Sequence, residues 1–522
     1  MRLGVVLLST LVLLLVAAAA PRDDASTFFR SGRIPSITIE LSPEAIEQLR
    51  TNPRTYAPCT VREGDKVVSA KAGVKIKGAA GSTRAFDDRP ALTINIDKFG
   101  DAPAYNGLKK FHLNNSVQDP SLLSEWTCSE IIRAAGQPAT RVTHARLRLG
   151  DRDMGLYVLK ESFDEEFLRR NFRTTSGNLY DGGFCQDLDS PLERDEGTGA
   201  ETRSDLQAIV EACREPDMKA RWKRIEQLVE VDDFVRFVAL EAMLGHWDGY
   251  SFNSNNYRLF FEPAKKAVFL PHGMDQCFGD PNASVLDAPR AMLAASVMRN
   301  PEWRKQYRKE IARLLPQFDP VKLEKKLEPV EARIQKALRE ISPEAAAEQL
   351  AHANGFLERL RGRATSLLAQ STAPEPRPLV FRKGQPVLVR DWRPMSEVED
   401  AVLEEVDLGG AKWMRAACGP GGRCIAGWRR SVLLSKGKYV FEAFIRVEGI
   451  EPLVEEDAPG VGGGIRTWEG KRAADGTSSG ERKVTFEFEV SEEIADVELV
   501  LELRGKRGSI AFRMDSLRLT RE

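Results

Sequence analysis

Short stretches in the first part of the chain alternate between apolar and polar residues, which is typical of half-buried strands. The pattern from residue 37 to residue 60 predicts a strand, a helix that starts at Ser42 and a second strand. Residues 74–77 and 92–96 alternate in the same way and flank a loop of small residues, Gly78-Ala79-Ala80-Gly81-Ser82-Thr83-Arg84. Because small side chains let a backbone come close to a ligand, we expect this small-residue loop to lie over phosphate groups.

Helical periodicity and one further hairpin follow along the chain. The pattern predicts a helix over residues 121–135, a hairpin of strands 145–149 and 155–159, helices over 205–213, 218–228 and 231–246, and several more helices in the charged run 301–370. A Pro-rich segment, residues 371–378, then marks a domain boundary. The fold class is therefore α+β for a domain over residues 37–370, whose C-terminal part from about residue 285 is helical.

Residues 379–522 differ in character from the rest of the chain. Segments 439–445, 484–490 and 497–503 alternate with period two and are separated by Gly-rich turns. This pattern predicts an all-β domain, a sandwich or jelly roll, after the linker.

The first 20 residues combine Arg2, an apolar run of 14 residues and the small residues Ala18-Ala19-Ala20. This combination predicts a cleaved secretory signal peptide, because the run is shorter than the roughly 20 residues that a membrane span needs. We therefore expect a protein that is secreted or held in the cell envelope or periplasm, with no membrane span after cleavage. The formal net charge of −1 gives no reason to expect a nucleic-acid partner.

The seven cysteines include one close pair, Cys418 and Cys424, with no further Cys or His at the spacing of a zinc site. The pair predicts a local disulfide bond.

Two segments carry the residue types that phosphoryl transfer needs. In His246-Trp247-Asp248-Gly249-Tyr250-Ser251-Phe252-Asn253 an acid precedes an amide by five residues, and after an apolar strand Asp275 stands in a turn that ends Phe278-Gly279. Kinases use this arrangement to orient the attacking hydroxyl and to hold magnesium. We expect Asp248 to be the catalytic residue and Asn253 and Asp275 to bind Mg²⁺ through oxygen, with Asn255 or Asn256 as alternatives to Asn253.

The same residues also suit a plain turn, because Asp, Asn and Gly favour turn backbone. His246 and His272 lack the companions of a zinc site, which favours a packing or orienting role for both.

The order and spacing of several segments between about residues 37 and 280 resemble the CotH family of secreted and spore-coat proteins, which have an atypical protein-kinase-like fold. The segments are residues 73–78, 107–115, 119–123, 155–161 and 177–180, together with the two acidic segments. The resemblance implies transfer of phosphate from ATP to Ser or Thr of an exported or surface protein, with Asp248 as the catalytic-loop acid and Asp275 as the metal-binding acid. The family's second motif usually reads Pro-Trp-Asp-x-Asp, whereas Pro271-His272-Gly273-Met274-Asp275 keeps only the second acid.

Basic residues near the small-residue loop offer cationic partners for the phosphates of ATP: Lys75, Lys77, Arg84, Arg89 and Lys98. We expect Lys77 and Arg89 to be the main phosphate-binding residues. Arg89 precedes the strand that resembles the family's Lys-rich entry. Arg84 is a further candidate. Lys160 and Glu161 end a strand where a kinase-like hinge would lie, so they are expected near the nucleotide. Each of these residues is also compatible with an ordinary charge at a strand edge.

The C-terminal domain resembles carbohydrate-binding jelly rolls in segments 437–443 and 512–519, and it carries Trp392, Trp413, Trp428 and Trp468. Exposed indoles stack on apolar sugar faces, so a polysaccharide is a candidate partner, although at least two of the four are expected in the core.

Gly273, at the position of the missing acid, favours a second hypothesis: a non-catalytic envelope or matrix scaffold, or a glycan-binding protein, that retains the kinase-like fold. A polysaccharide hydrolase would need two carboxylates about 5 to 10 Å apart, and no motif indicates such a pair.

Overall fold

The structure, a computed structural model, describes residues 24–197, 202–263, 266–374, 377–398, 400–454, 462–468, 470–472 and 477–522. The predicted signal peptide lies outside these residues, as do two residues of the predicted linker. The chain divides into two compact units. The first comprises residues up to 283 with 290–293 and 306–368, and the second comprises 284–289, 294–305 and 369–522. The second unit thus includes two short segments that precede the predicted linker.

Seven strands of the first unit form a sheet that closes on itself. They are β1 Ser36–Glu40, β2 Ala57–Glu63, β3 Lys66–Lys77, β4 Ala91–Asn95, β5 Lys110–Asn114, β6 Val142–Leu149 and β7 Arg152–Glu161. The order is β1-β2-β3-β4-β5-β7-β6, and parallel pairing of β1 with β6 closes the sheet. Alternate residues such as Ile37, Ile39, Val74 and Ile76 are buried in its core, which confirms the period-two predictions for these stretches.

Four helices accompany this sheet: α1 Asp24–Ser31, α2 Pro43–Thr51, α3 Ser124–Ala134 and α4 Glu165–Asn171. Ser42 caps α2 by accepting a hydrogen bond from Ala45 N (3.2 Å), as the sequence predicts. At α3, Asp119 accepts a hydrogen bond from Ser124 N (2.9 Å). The helix therefore begins three residues later than predicted, because the residues before it form this capping turn.

A four-stranded sheet follows in the order β11-β10-β8-β9. Its strands are β8 Asn178–Asp181, β9 Glu193–Gly197, β10 Tyr257–Phe261 and β11 Ala267–Pro271, and the helices between β9 and β10 are α5 Ser204–Arg214, α6 Met218–Leu228, α7 Val231–Leu244 and α8 Tyr250–Asn253. Helix α7 ends two residues earlier than predicted, because Gly245 has a φ of +66°, the left-handed conformation that stops a helix. His246 and the acidic segment after it therefore lie in a loop.

Helix α9, Met292–Met298, precedes the charged run. The run itself forms helices, as predicted: α10 Pro301–Leu314, α11 Pro320–Arg339 and α12 Pro343–Ser371, with a 3₁₀ turn at Leu315–Phe318. Among the described residues, none of the helices combines the length and the apolar composition that crossing a membrane requires.

The described part of residues 379–522 consists mainly of strands: β12 Val387–Leu388, β13 Arg393–Ser396, β14 Val402–Leu408, β15 Ala411–Ala417, β16 Cys424–Pro452, β17 Gly462–Thr467, β18 Gly480–Arg513 and β19 Arg518–Arg521, with a 3₁₀ turn at Met514–Ser516. The main path is β12-β19-β16-β18-β15-β14. Segments 484–490 and 497–503 both belong to the single strand β18. Residues between them also pair with β16, as Ile494 does with Ser435. The prediction of strands here is confirmed, and the jelly-roll assignment stays a prediction.

The predicted disulfide bond is absent, since Cys418 and Cys424 are both free thiols. Cys418 Sγ donates instead to Gly505 O (3.5 Å), and Cys424 is buried in β16. Burial raises the pKa of Cys424 to about 12, which disfavours the thiolate that disulfide formation requires.

Candidate functional site

The first unit contains a cavity of about 360 Å³. Its walls come from the small-residue loop, from strands β3, β4 and β5, and from the two acidic segments. The cavity brings together residues that the sequence nominated: Lys75, Lys77, Asp248, Asp275 and the two alternative amides, Asn255 and Asn256.

Side-chain amides surround the carboxylate of Asp248. Asn253 Nδ2 donates to Oδ1 (2.6 Å), Asn255 Nδ2 donates to both oxygens (3.1 Å each), and Asn256 Nδ2 donates to Oδ2 (2.8 Å). The Asn-rich sequence after Asp248 therefore holds this carboxylate in one orientation beside the cavity.

Glu241 on α7 anchors the loop that carries Asp248. The Glu241 carboxylate accepts hydrogen bonds from Tyr250 N and Ser251 N (2.9 Å each), which are the first amides of α8. A carboxylate at a helix N-terminus satisfies amides that have no partner within the helix. Burial raises the pKa of Glu241 to about 7.

The three asparagines differ in what they face. Asn253 is not among the described residues that line the cavity, because its amide is directed at Asp248 and at Sγ of Cys185 (3.6 Å). Asn255 and Asn256, the predicted alternatives to Asn253, both line it.

Asp275 lies in the turn after β11, and two hydrogen bonds fix this turn. His246 Nε2 donates to His272 O (2.9 Å), which joins it to the loop of Asp248. Ser124 Oγ donates to Met274 O (2.7 Å), which joins it to the start of α3. His246 thus has the orienting role that its sequence context favoured.

Helix α3 also supplies Glu125, a cavity-lining residue that sequence reasoning missed. Glu125 is buried and pairs with Lys160 Nζ at 2.7 Å, and it accepts a hydrogen bond from Asn114 Nδ2 (3.2 Å). Asn114 Oδ1 in turn accepts a hydrogen bond from Lys77 Nζ (2.6 Å). Helical spacing could have found it. Glu125 precedes the buried residues Cys128 and Ile132 by three and seven positions, which places it on the same buried face of α3.

Burial dominates the electrostatics of the site. Burial, and then the neighbouring ammonium of Lys160, lower the pKa of Lys77 to about 8. Burial, and then the carboxylate of Glu125, raise the pKa of Asp275. Burial and nearby cations hold the pKa of both His112 and His272 well below the ordinary value, so both rings are neutral at neutral pH. A cation beside Asp275 would therefore stabilise its charged form.

Arg84 and Arg89, two predicted phosphate-binding residues, are not among the described residues that line the cavity. Arg89 donates to Met154 O and Leu156 O (2.6 Å each), and Arg84 donates to Thr83 O (2.8 Å). Both guanidinium groups hold neighbouring backbone carbonyls instead of facing the cavity.

Lys160 and Glu161, at the end of β7, are also outside the lining. Lys160 is buried against Glu125, and Glu161 is buried between Arg141 (2.7 Å) and Arg170. Both side chains support the walls of the cavity and do not reach into it.

Three further cations line the cavity and were missed, Arg54, Lys110 and Arg258, of which the last two lie on strands. Lys110 Nζ lies 3.1 Å from Glu196, and Arg258 pairs with Asp181 (2.7 Å) and Asp195 (3.1 Å). Nothing in the sequence marks them, because a basic residue on a strand has the same local pattern whether it faces solvent or a cavity.

The donor set fits magnesium bound together with a nucleotide. Magnesium usually binds through one or two carboxylates, with phosphate oxygens and waters completing its shell. Asp248, Asp275, Asn255 and Asn256 all line the cavity and carry carboxylate or amide oxygens. Within the described ranges, no group of three or more His, Cys, Asp or Glu side chains converges as a metal cage.

Comparison with known proteins gives distant relatives. A spore coat protein homolog from Rhizopus delemar is 22% identical over 280 residues, which cover 49% of this chain and 44% of the relative. Invasin CotH2 from the same fungus is 24% identical over 189 residues, 32% of each chain, and inner spore coat protein H from Bacillus subtilis is 24% identical over 236 residues, 40% of this chain and 63% of the relative. These matches span less than two thirds of the length of each relative.

Among solved structures, the proinflammatory kinase CtkA of Helicobacter pylori aligns with 53% of this chain and 95% of its own, at 11% identity and a TM-score of 0.28. Residues 74–349, more than half of the chain, match the family described as CotH kinase protein. The chain therefore belongs to the CotH kinase family.

Proposed function

We propose that this protein is a kinase that transfers phosphate from ATP, with Mg²⁺, to Ser or Thr hydroxyls of an exported or surface protein. The observation that supports the proposal most strongly is the meeting of Lys77, Asp248 and Asp275 around one cavity in a chain of the CotH kinase family. Catalysis of phosphoryl transfer depends on positioned charges more than on covalent chemistry. Lys77 supplies a cation for the phosphates, and Asp248 and Asp275 supply two carboxylates.

In this proposal Asp248 accepts a hydrogen bond from the attacking hydroxyl and orients it toward the phosphate. The three side-chain amides around its carboxylate hold the carboxylate in this orientation. Lys77 binds phosphate oxygens under the small-residue loop, and Asp275 holds magnesium with an amide oxygen as a second ligand. Magnesium, when bound, neutralises the charge on the phosphates.

The proposal is tested by radiolabelled ATP turnover of the purified wild type, Asp248→Asn and Asp275→Asn. Exposed Asp65, in the turn between β2 and β3, gives a matched acid-to-amide control, Asp65→Asn. We expect the two site variants to lose turnover by about 10²-fold or more, since each removes a group that acts on the reacting phosphate, while the control keeps it. Equal turnover in all four proteins would refute the proposal.

A non-catalytic scaffold is the second candidate function, and Gly273 in place of an acid favours it. A thermal-shift titration with Mg-ATP separates the two, because a ligand that binds only the folded state raises the melting temperature. Absence of a shift at millimolar nucleotide would favour the scaffold.

We also propose an extracytoplasmic location, which the signal-like N-terminal sequence and the spore-coat names of two relatives support. For a polysaccharide partner, Trp468 is the best candidate contact: Trp413 and Trp428 are buried, whereas Trp468 is 41% exposed. Retention of the full chain on insoluble polysaccharide should fall in Trp468→Ala. Retention no better than that of a control protein would exclude this partner.

A further inference from the structure

The space beside Gly273 is occupied by Asn256. A Cβ atom at position 273 would lie 2.5 Å from Asn256 Cγ and closer still to Oδ1, well inside contact distance. The φ of Gly273 is +56°, a conformation that Asp and Asn adopt more readily than other residues with a side chain. An acid at position 273 would therefore collide with Asn256 in its present place, and the positive φ adds backbone strain.

Three hydrogen bonds fix Asn256 in this place. Its Nδ2 donates to Asp248 O (3.0 Å) and Asp248 Oδ2 (2.8 Å), and its backbone O accepts a hydrogen bond from His272 N (2.9 Å). With both amide protons directed at Asp248, the amide oxygen points to the side of Gly273.

The amide oxygens of the two cavity-lining asparagines are not equivalent. Asn255 Oδ1 accepts a hydrogen bond from Cys185 N (3.3 Å). Within the part of the chain that the structure describes, Asn256 Oδ1 accepts no hydrogen bond, although the residue lines the cavity with Asp275. It is therefore the amide oxygen that remains available to a ligand.

We propose that Asn256 Oδ1 is a ligand of the nucleotide-bound divalent cation and replaces the carboxylate that position 273 lacks. The inference rests on the proposed function, since it concerns the cation of the same site. Exchanging a carboxylate for an amide removes one negative charge from the ligand set. Because ligand charge tunes cation affinity, the protein should hold the cation weakly alone and more firmly once phosphate oxygens are present.

The test is Mn²⁺ binding to the full chain, measured from the paramagnetic resonance of free Mn²⁺ with and without ADP. We expect Asn256→Ala and Asp275→Asn each to weaken binding on the order of tenfold or more in the presence of ADP. Asn253→Ala is the matched control, because Asn253 also donates to Asp248 but is not a lining residue. It should bind Mn²⁺ as the wild type does.

Asn256→Asp separates a ligand from a residue that only orients Asp248. As a ligand, the new carboxylate restores an oxygen at the cation, so Asn256→Asp binds Mn²⁺ more tightly than Asn256→Ala does. As a mere donor to Asp248, it would place a second carboxylate against the first and bind more weakly than Asn256→Ala.

An exchange of the two positions tests the steric argument. Gly273→Asp alone should lower the melting temperature and weaken Mn²⁺ binding, and Gly273→Asp combined with Asn256→Gly should recover both. Wild-type affinity in Asn256→Ala together with a loss in Asp275→Asn would overturn this inference alone. Wild-type affinity in both variants would remove the cation site and the proposed function with it.

Discussion

Lys160 Nζ lies 2.7 Å from Glu125 Oε2, and both side chains are buried. Removing one partner of such a pair leaves a buried charge without compensation, whereas removing both does not. We expect Lys160→Met and Glu125→Leu each to lower the free energy of unfolding by about 3–5 kcal/mol. The double variant should lose clearly less than the sum, as urea denaturation would show. Additive losses would mean that the two charges are stabilised independently.

The same variants separate stability from activity. Glu125 lines the cavity, so under the proposed function the double variant should stay inactive with ATP even where its stability recovers. Recovery of turnover along with stability would show that the pair serves folding alone.

Nucleotide affinity should fall as the pH rises through about 8, where Lys77 loses its proton. A neutral amine does not attract phosphate, so the dissociation constant for ADP, measured by calorimetry without metal, should increase between pH 7 and pH 9. Lys77→Arg keeps its charge over this range and should remove the step, and Lys77→Met should bind weakly at every pH. A step of unchanged size in Lys77→Arg would assign the titration to another group.

Glu241 should make the protein less stable as the pH rises. Its pKa is about 7 in the folded chain and 4.5 ordinarily, so between these values the folded state binds more protons than the unfolded state, and stability falls with pH. In urea denaturation at pH 5 and pH 8, Glu241→Gln should show a drop smaller than that of the wild type by about 1–3 kcal/mol. Glu226→Gln, at an exposed position on α6, should keep the wild-type drop, and an equal drop in Glu241→Gln would contradict the prediction.

Arg363 on α12 is wholly buried and satisfies carbonyl groups at the end of α7. It donates to Ala242 O (2.6 Å), Met243 O (2.9 Å) and Pro281 O (3.2 Å). Arg363→Met keeps the volume but leaves these acceptors unpaired, so unfolding free energy should fall by about 2–4 kcal/mol.

Arg361, two residues earlier, is the matched control. It is half exposed and, among the described residues, pairs with Glu324 at the surface, so Arg361→Met should lower the unfolding free energy far less than Arg363→Met does. Equal losses for the two variants in urea denaturation would show that the carbonyl contacts of Arg363 do not stabilise α7.

The sequence predicted helices and strands correctly where one face of the element is buried. The strand, helix and strand of residues 37–60 and the hairpin of β6 and β7 follow their hydrophobic periods. The predicted helix and strand boundaries were wrong where a local feature overrides the hydrophobic period. Gly245 shortens α7, and continuous pairing merges two predicted strands into β18.

The sequence by itself determined the secondary structure of most of the first unit, the two acidic segments and the family. Tertiary structure decided which side chains face the cavity: Asn256 instead of Asn253, Lys77 instead of Arg89, and Glu125 as the partner of Lys160. The physical reason is that periodicity reports only burial of one face, whereas these contacts join residues far apart in the chain. Glu125 and Lys160 are 35 positions apart, and only the packing of α3 against β7 brings their charges together.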